Sequence, residues 1–170
     1  MELLYFFLLI LIPLILLLLF FTRATLSQSL KKEERKTIAL YRKKIDKIPA
    51  FLETMRDKVA EEASLKTMIR LHSEAVLMPT NDIVDVLEMN VRIEKEFHFL
   101  MQISAQIPAL LTETQFIYIR DFVIQAEKDM HAQFSAVNEK VQKYNTFIMI
   151  KNLTIIGLIL PGKAKPYLGT

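Results

Sequence analysis

Apolar residues recur at steps of three and four along most of this chain, the spacing that lines one face of a helix. Ile38, Tyr41, Ile45, Ile48, Leu52, Met55 and Val59 keep the rhythm without a fault; it slips near residues 61–64, and Leu65, Ile69, His72 and Val76 resume it. Pro79, then Thr80, Asn81 and Asp82, supply a stop followed by N-cap candidates, so the pattern predicts a first helix over residues 27–77. A second is expected over residues 83–106. One of its seams runs through Val86, Ile93, Phe97, Leu100 and Ile107, and the other through Val84, Leu87, Val91, His98 and Met101. Two seams imply two neighbours. After Pro108, Thr112 and Gln115 read as a capping box opening a third helix, with a seam through Phe116, Ile119, Val123, Ala126, Met130, Phe134, Val137, Val141, Tyr144 and Ile148. Short connections make consecutive helices antiparallel.

Before these helices stands LLYFFLLILIPLILLLLFF, residues 3–21, with no charge in nineteen positions. About twenty apolar residues span a bilayer as a helix. A cleaved signal peptide would want a basic start, a shorter apolar stretch and a small-x-small site, whereas Glu2 precedes this one and Thr22, Ala24 and Ser27 are poorly spaced. The expectation is an uncleaved anchor in which Pro13 is tolerated mid-span. Arg23, Lys31, Lys32, Arg35 and Lys36 follow the span, and the positive-inside rule then places the remaining chain in the cytoplasm. The expected fold class is all-α: an N-terminal transmembrane helix and an elongated antiparallel bundle of three long helices. A fourth would come from folding of the first or last segment or from a partner chain.

Composition removes several chemistries. Cysteine is absent, which excludes disulfide frameworks, thiolate metal sites and cysteine nucleophiles, and no glycine precedes Gly157, which excludes glycine-rich phosphate loops. Of a net charge of +3, residues 31–47 carry eight Lys or Arg against three acids. Basic residues clustered beside one end, not spread along a face, argue against nucleic acid as partner and for the membrane. Lys31, Lys32, Arg35 and Lys36 are the membrane-surface candidates, within the reach of an anionic leaflet's field only over the first turns. Within YRKKIDKIPAFLETM, residues 41–55, Pro49 as a first helical residue would leave Ile48 as a poor N-cap, so a kink in a continuing helix is expected there. The resulting divisions are an anchor (1–24), a basic stem (25–48), the bundle (49–150) and an apolar tail (151–170). In the tail, Leu153, Ile155, Ile156 and Leu158 are candidates to cap the seam or to dock a partner.

Lys43, Lys44, Asp46, Ile48, Pro49, Glu53 and Thr54 stand where the first-helix motif of the LemA family has two basic residues followed by Asp-Leu-Ile-Pro-Asn-Leu-Val-Glu-Thr. Tyr144 with Asn145, and Asn152, Leu153 and Gly157, resemble that family's Tyr-Asn and Asn-Leu-Ile-Ala-Gly segments, whereas Lys47, Ala50, Phe51, Leu52, Met149, Ile150 and Lys151 depart from its pattern. The resemblance implies a short anchor, an elongated helical bundle and a bacterial membrane. It implies no reaction.

His72, His98 and His131 fall one on each expected helix. Folding about Pro79 and Pro108 sets His72 and His131 at similar heights and His98 roughly 15 Å away along the axis. No histidine has Glu three positions before it, so a bundle di-metal site lacks its ligands. Glu94 with His98 and Glu127 with His131 read as contacts along single helices, and Glu61, Glu62 and Glu88 as solvated faces. Catalytic residues, metal and cofactor are all expected to be none. The expectation is a single-pass, non-enzymatic scaffold or adaptor in a bacterial cell membrane, with protein partners and self-association. The alternative is a module binding lipid or an amphipathic ligand.

Overall fold

A computed structural model describes residues 2–60, 62–80, 82–154, 157 and 161–168. Its helices are α1 (Glu2–Ile45), α2 (Ile48–Met55), α3 (Glu62–Leu77), α4 (Ile83–Ser104), α5 (Pro108–Leu111) and α6 (Thr114–Asn152), with no strand among the described residues. The chain is all-α. It divides into two compact units, Arg35–Gln133 and the pair of segments Met1–Glu34 and Phe134–Thr170.

In the unit Arg35–Gln133, the first helix expected from the apolar rhythm is broken twice. At residues 46–47 the Asp46 amide bonds to the Arg42 carbonyl at 2.9 Å and the Lys47 amide to that of Lys44 at 3.1 Å, after which Lys47 becomes the N-cap of α2. Pro49 therefore lies in the first turn of a new helix and does not kink a continuing one. That is where proline costs a helix least, because its missing N–H would have had no partner there. The objection that Ile48 would have to serve as the cap does not arise, since the helix starts one residue earlier.

The second break reverses the chain. The Lys58 and Val59 amides both close on the Met55 carbonyl at 3.0 Å, and α3 then returns alongside α2. Pro49, Leu52, Leu65, Ile69 and His72 line one groove between the two arms. The slip in rhythm at residues 61–64 is thus a helical hairpin. Because the turn resets the phase, α3 buries Leu65, Met68, Leu71 and Ala75, and leaves Ile69 and Val76 exposed.

Four helical arms result: the end of α1 with α2, then α3, α4 and the start of α6. Lys44 meets Asn90 and Phe51 meets Phe97, two pairs with the same sequence separation, so α4 runs parallel to α1 and α2. The core centres on Phe51, whose ring lies 4.8 Å from that of Phe97 and stacks 5.6 Å from that of Phe116. Val86, Ile93, Phe97 and Leu100 form the buried seam of α4, while Val91 and His98 of the expected second seam are exposed. Asp82 caps α4 by accepting the Val84 amide at 2.9 Å. Thr112 does not cap α6; its hydroxyl donates back to the Pro108 and Ala109 carbonyls of α5, and Glu113 accepts the Ile117 amide instead.

In the other unit, Val137, Val141, Tyr144 and Ile148 of α6 and Leu30 of α1 are buried. The N-terminal part of α1 is the one helix among the described residues long and apolar enough to cross a membrane, and none of its apolar window is buried. This is consistent with a membrane anchor or a signal sequence. Past α6 the Gly157 amide bonds to the Thr154 carbonyl at 2.9 Å, and a Cβ there would collide with the backbone of Asn152. Residues 161–168 then lie extended along α6.

The hairpin separates the folded chain from a straight helix by a simple test. With Leu52→Cys and Ile69→Cys in this cysteine-free chain, a short bismaleimide is expected to join the two thiols within one molecule. In a continuous helix they would stand about 25 Å apart and stay unlinked.

Candidate functional site

Lys44 is fully buried, with 0% of its side chain exposed. A buried ammonium is tolerated only when paired and hydrogen-bonded. Its Nζ lies 2.6 Å from Glu127 Oε1 and donates to Asn90 Oδ1 at 3.1 Å. Asn90 in turn directs Nδ2 at Glu94 Oε2, 3.4 Å away. On the outer side His98 Nε2 sits 3.6 Å from Glu127 Oε2, and His131 Nε2 sits 3.4 Å from Glu94 Oε1. Helices α1, α4 and α6 meet here.

The arrangement follows from two like-spaced pairs on antiparallel helices. Both α4 and α6 carry a glutamate with a histidine four residues later, so in antiparallel register each glutamate meets the other helix's histidine. The contacts expected along single helices are therefore made between helices. His98 and His131 frame one cluster; the large axial separation assigned to His98 came from folding about Pro108, whereas α5 lies in that connection and the paired residues centre the reversal near residues 112–113. His72 belongs elsewhere, on α3, where burial holds its pKa below the ordinary value against the opposing pull of Asp46.

The ligand atoms of Glu94, His98 and Glu127 lie within 4.8 Å of one another, a donor set of the kind zinc accepts. Lys44, however, already neutralises Glu127 from the buried side, and a dication would compete with its ammonium for the same carboxylate. The geometry instead performs charge compensation: one buried cation, two carboxylates and two imidazoles at the rim. Tyr41, also buried, has a hydroxyl with no hydrogen-bond partner among the described residues and a pKa pushed up to about 12 by desolvation, so it is held neutral.

A second constellation lies in the other unit. Asn138, Asn145 and Asn152 are spaced by seven on α6, and each carboxamide makes two bonds to one residue of the returning segment. Asn152 Nδ2 donates to the Gly162 carbonyl at 3.0 Å and Oδ1 accepts the Gly162 amide at 3.1 Å. Asn145 does the same with Lys165 at 2.9 and 2.8 Å, and Asn138 with Leu168 at 2.8 Å both ways. Lys165 Nζ also reaches Glu34 Oε1 at 2.9 Å.

The sequence model of the LemA family matches residues 35–168. This chain belongs to the LemA family. No curated protein matches it. Within this LemA-family chain, the motif residue Lys44 supplies the buried charge of the core, and Asn145 and Asn152 of the later segments supply two rungs of the asparagine track.

Lys31, Lys32, Arg35 and Lys36 are all exposed on α1. Glu34, which lies among them, joins the second constellation through Lys165. Leu153 is 81% exposed, and Ile155, Ile156 and Leu158 lie outside the described residues. Sequence reasoning passed over Asn90, Asn138, Gly162 and Lys165, and read Glu127 only as a partner of His131 along its own helix. The heptad of asparagines was a visible signal; the pairing of Lys44 with Glu127 had none, since it depends on the hairpin that puts four arms together.

Replacing Lys44 by Met leaves Glu127 buried and uncompensated, and should cost about 3–5 kcal/mol in unfolding free energy. Adding Glu127→Leu to Lys44→Met should recover most of that loss in urea melts, whereas an additive double variant would show that the pair is not coupled. His72 contributes with the opposite pH sense to a paired histidine. Its folded pKa is depressed, so its contribution is fully present above the unfolded value of about 6.5 and is lost as pH falls through the folded value. His72→Asn should accordingly flatten the fall in melting temperature between neutral pH and pH ~5 relative to the unsubstituted chain.

Proposed function

We propose that this LemA-family chain is a single-pass membrane protein acting as a non-enzymatic scaffold or adaptor, with its helical unit on the cytoplasmic side of a bacterial membrane. The observation that carries the reading is α1 itself. One helix, Glu2–Ile45, holds both the exposed apolar stretch and the core residues Tyr41, Lys44 and Ile45. The titratable groups brought together at Lys44 are paired with one another, which supports a structural role for that cluster.

The groove between α2 and α3 favours a second reading. It has a volume of about 750 Å³ and mixes Pro49, Leu52, Leu65 and Ile69 with Glu53, Arg56 and Lys66, a lining suited to an amphipathic ligand. Lipid that co-purifies with the intact chain and is displaced by Ile69→Arg would move the assignment there.

A photo-crosslinking residue at Val76 or Val91, both exposed on the bundle, tests the scaffold directly in intact cells with the anchor retained. A small, reproducible set of protein adducts is expected. Adducts to lipid alone, or a turnover by the purified chain that Lys44→Met abolishes without unfolding it, would contradict the reading. Sidedness has its own measurement: a cysteine introduced at Ser73 should resist a membrane-impermeant maleimide in spheroplasts until the membrane is opened, and labelling before that would place the bundle outside.

A further inference from the structure

The asparagine track reads backbone, not side chains. Each carboxamide bonds both the N–H and the C=O of a single residue, the reciprocal pairing by which one strand residue holds another across an antiparallel ladder. The rungs fall on Gly162, Lys165 and Leu168, three apart, while the asparagines are seven apart. A step of three selects polyproline II, which brings every third residue to one face, over a β-strand, which brings every second. Burial follows the same period: Leu168 is buried, Gly162 and Lys165 are half-buried, and Pro161, Lys163, Ala164, Pro166 and Tyr167 are exposed. Seven residues of helix rise about 10.5 Å and three of polyproline II about 9.3 Å, so the two repeats stay in step over three rungs.

Side-chain demands are confined to the rungs. A Cβ at Gly162 would come within 2.7 Å of Ile148 Cδ1, Lys165 pairs with Glu34, and Leu168 fills the last buried position. Everything the segment needs from α6 and α1 is thus present on any copy of this chain. Between rungs the segment's residues are exposed.

From this we propose that the track is an exchange site, at which residues 161–168 of a second copy replace the chain's own and join two copies by the same six hydrogen bonds and the same Lys165–Glu34 pair. Exchange of an identical element is a low-cost route to a two-fold dimer, because every bond opened within a chain is made again between the two chains. Eight positions, 153–160, separate the end of α6 from the track segment, a contour length of at most about 28 Å. The inference concerns this unit alone and holds whether or not the bundle serves as a scaffold.

The test uses the full chain in detergent micelles and a labelled peptide, PGKAKPYLGT, of residues 161–170. Lys165→Pro in the chain keeps the extended conformation but removes the N–H that Asn145 accepts and the ammonium that meets Glu34. The peptide should therefore bind the Lys165→Pro chain more tightly than the unsubstituted one, whose own segment competes better. Adding Asn145→Ala should weaken that binding by roughly ten-fold, with helicity unchanged by circular dichroism. Two differently tagged, co-expressed copies should co-purify, and lose each other when Asn138, Asn145 and Asn152 are all replaced by Ala. Three results would overturn the proposal: no peptide binding to the Lys165→Pro chain, co-purification that survives the triple substitution, or equal binding of an unrelated proline-rich peptide, which would give the site to another partner.

Discussion

A charge with no path to water sits at the meeting of α1, α4 and α6, and the rest of the unit Arg35–Gln133 is arranged around it. Lys44 is accommodated there because Glu127 lies 2.6 Å away and Asn90 accepts a second bond. That requirement fixes the register of three helices at once, since sliding any of them by a turn would leave the ammonium or the carboxylate unpaired in an apolar interior. The reciprocal Glu and His contacts between α4 and α6 extend the same register outward to the rim. The aromatic cluster of Phe51, Phe97 and Phe116 lies beside it, so packing and pairing enforce one alignment.

The same constraint takes in the last turn of α1. Lys44 is in the last turn of the helix whose beginning holds the exposed apolar stretch. Its burial, with that of Tyr41 and Ile45, holds that last turn in the core of the unit Arg35–Gln133. The asparagine track is a second, independent device in the other unit. It uses neutral carboxamides where the first uses charge, and the difference matters: a buried ion pair is costly to open and specifies one partner, while backbone-directed bonds to an extended segment can be made again by any chain with the same spacing.

Much of this was legible in the order of residues. The seam of α6 from Phe116 to Ile148 is buried as its three-four rhythm requires, with Phe134 alone only half-buried, and the stops at Pro79 and Pro108 fall where helices end. The LemA motif around Lys44 and Pro49 was readable too. What periodicity could not carry was direction. A phase slip at residues 61–64 is compatible with a relaxed supercoil in one helix and with a hairpin between two, and glycine, the usual sign of a turn, is absent there. Reading the slip as a continuation misplaced the α3 seam by a residue and hid the Lys44 site, which exists only when four arms close; taking Pro108 as the fold point, with no α5 in the connection, placed His98 far from His131. Pro49 was misjudged for a related reason: the N-cap is Lys47, whose ammonium lies 5.4 Å from the Phe122 ring and 6.0 Å from that of Tyr118, contacts made by tertiary structure and invisible to a local cap preference.

Hydrogen exchange read by mass spectrometry on the full chain tests the central claim most directly. If Lys44 binds α1 into the core, residues 38–45 must open together with α4 and the first half of α6, exchanging at the rate of that cooperative unit and more slowly than the turn at residues 56–60. Exchange of residues 38–45 that ran ahead of α4 and α6, while those two remained protected, would mean that the core holds without α1 and that the buried charge is not its organising contact.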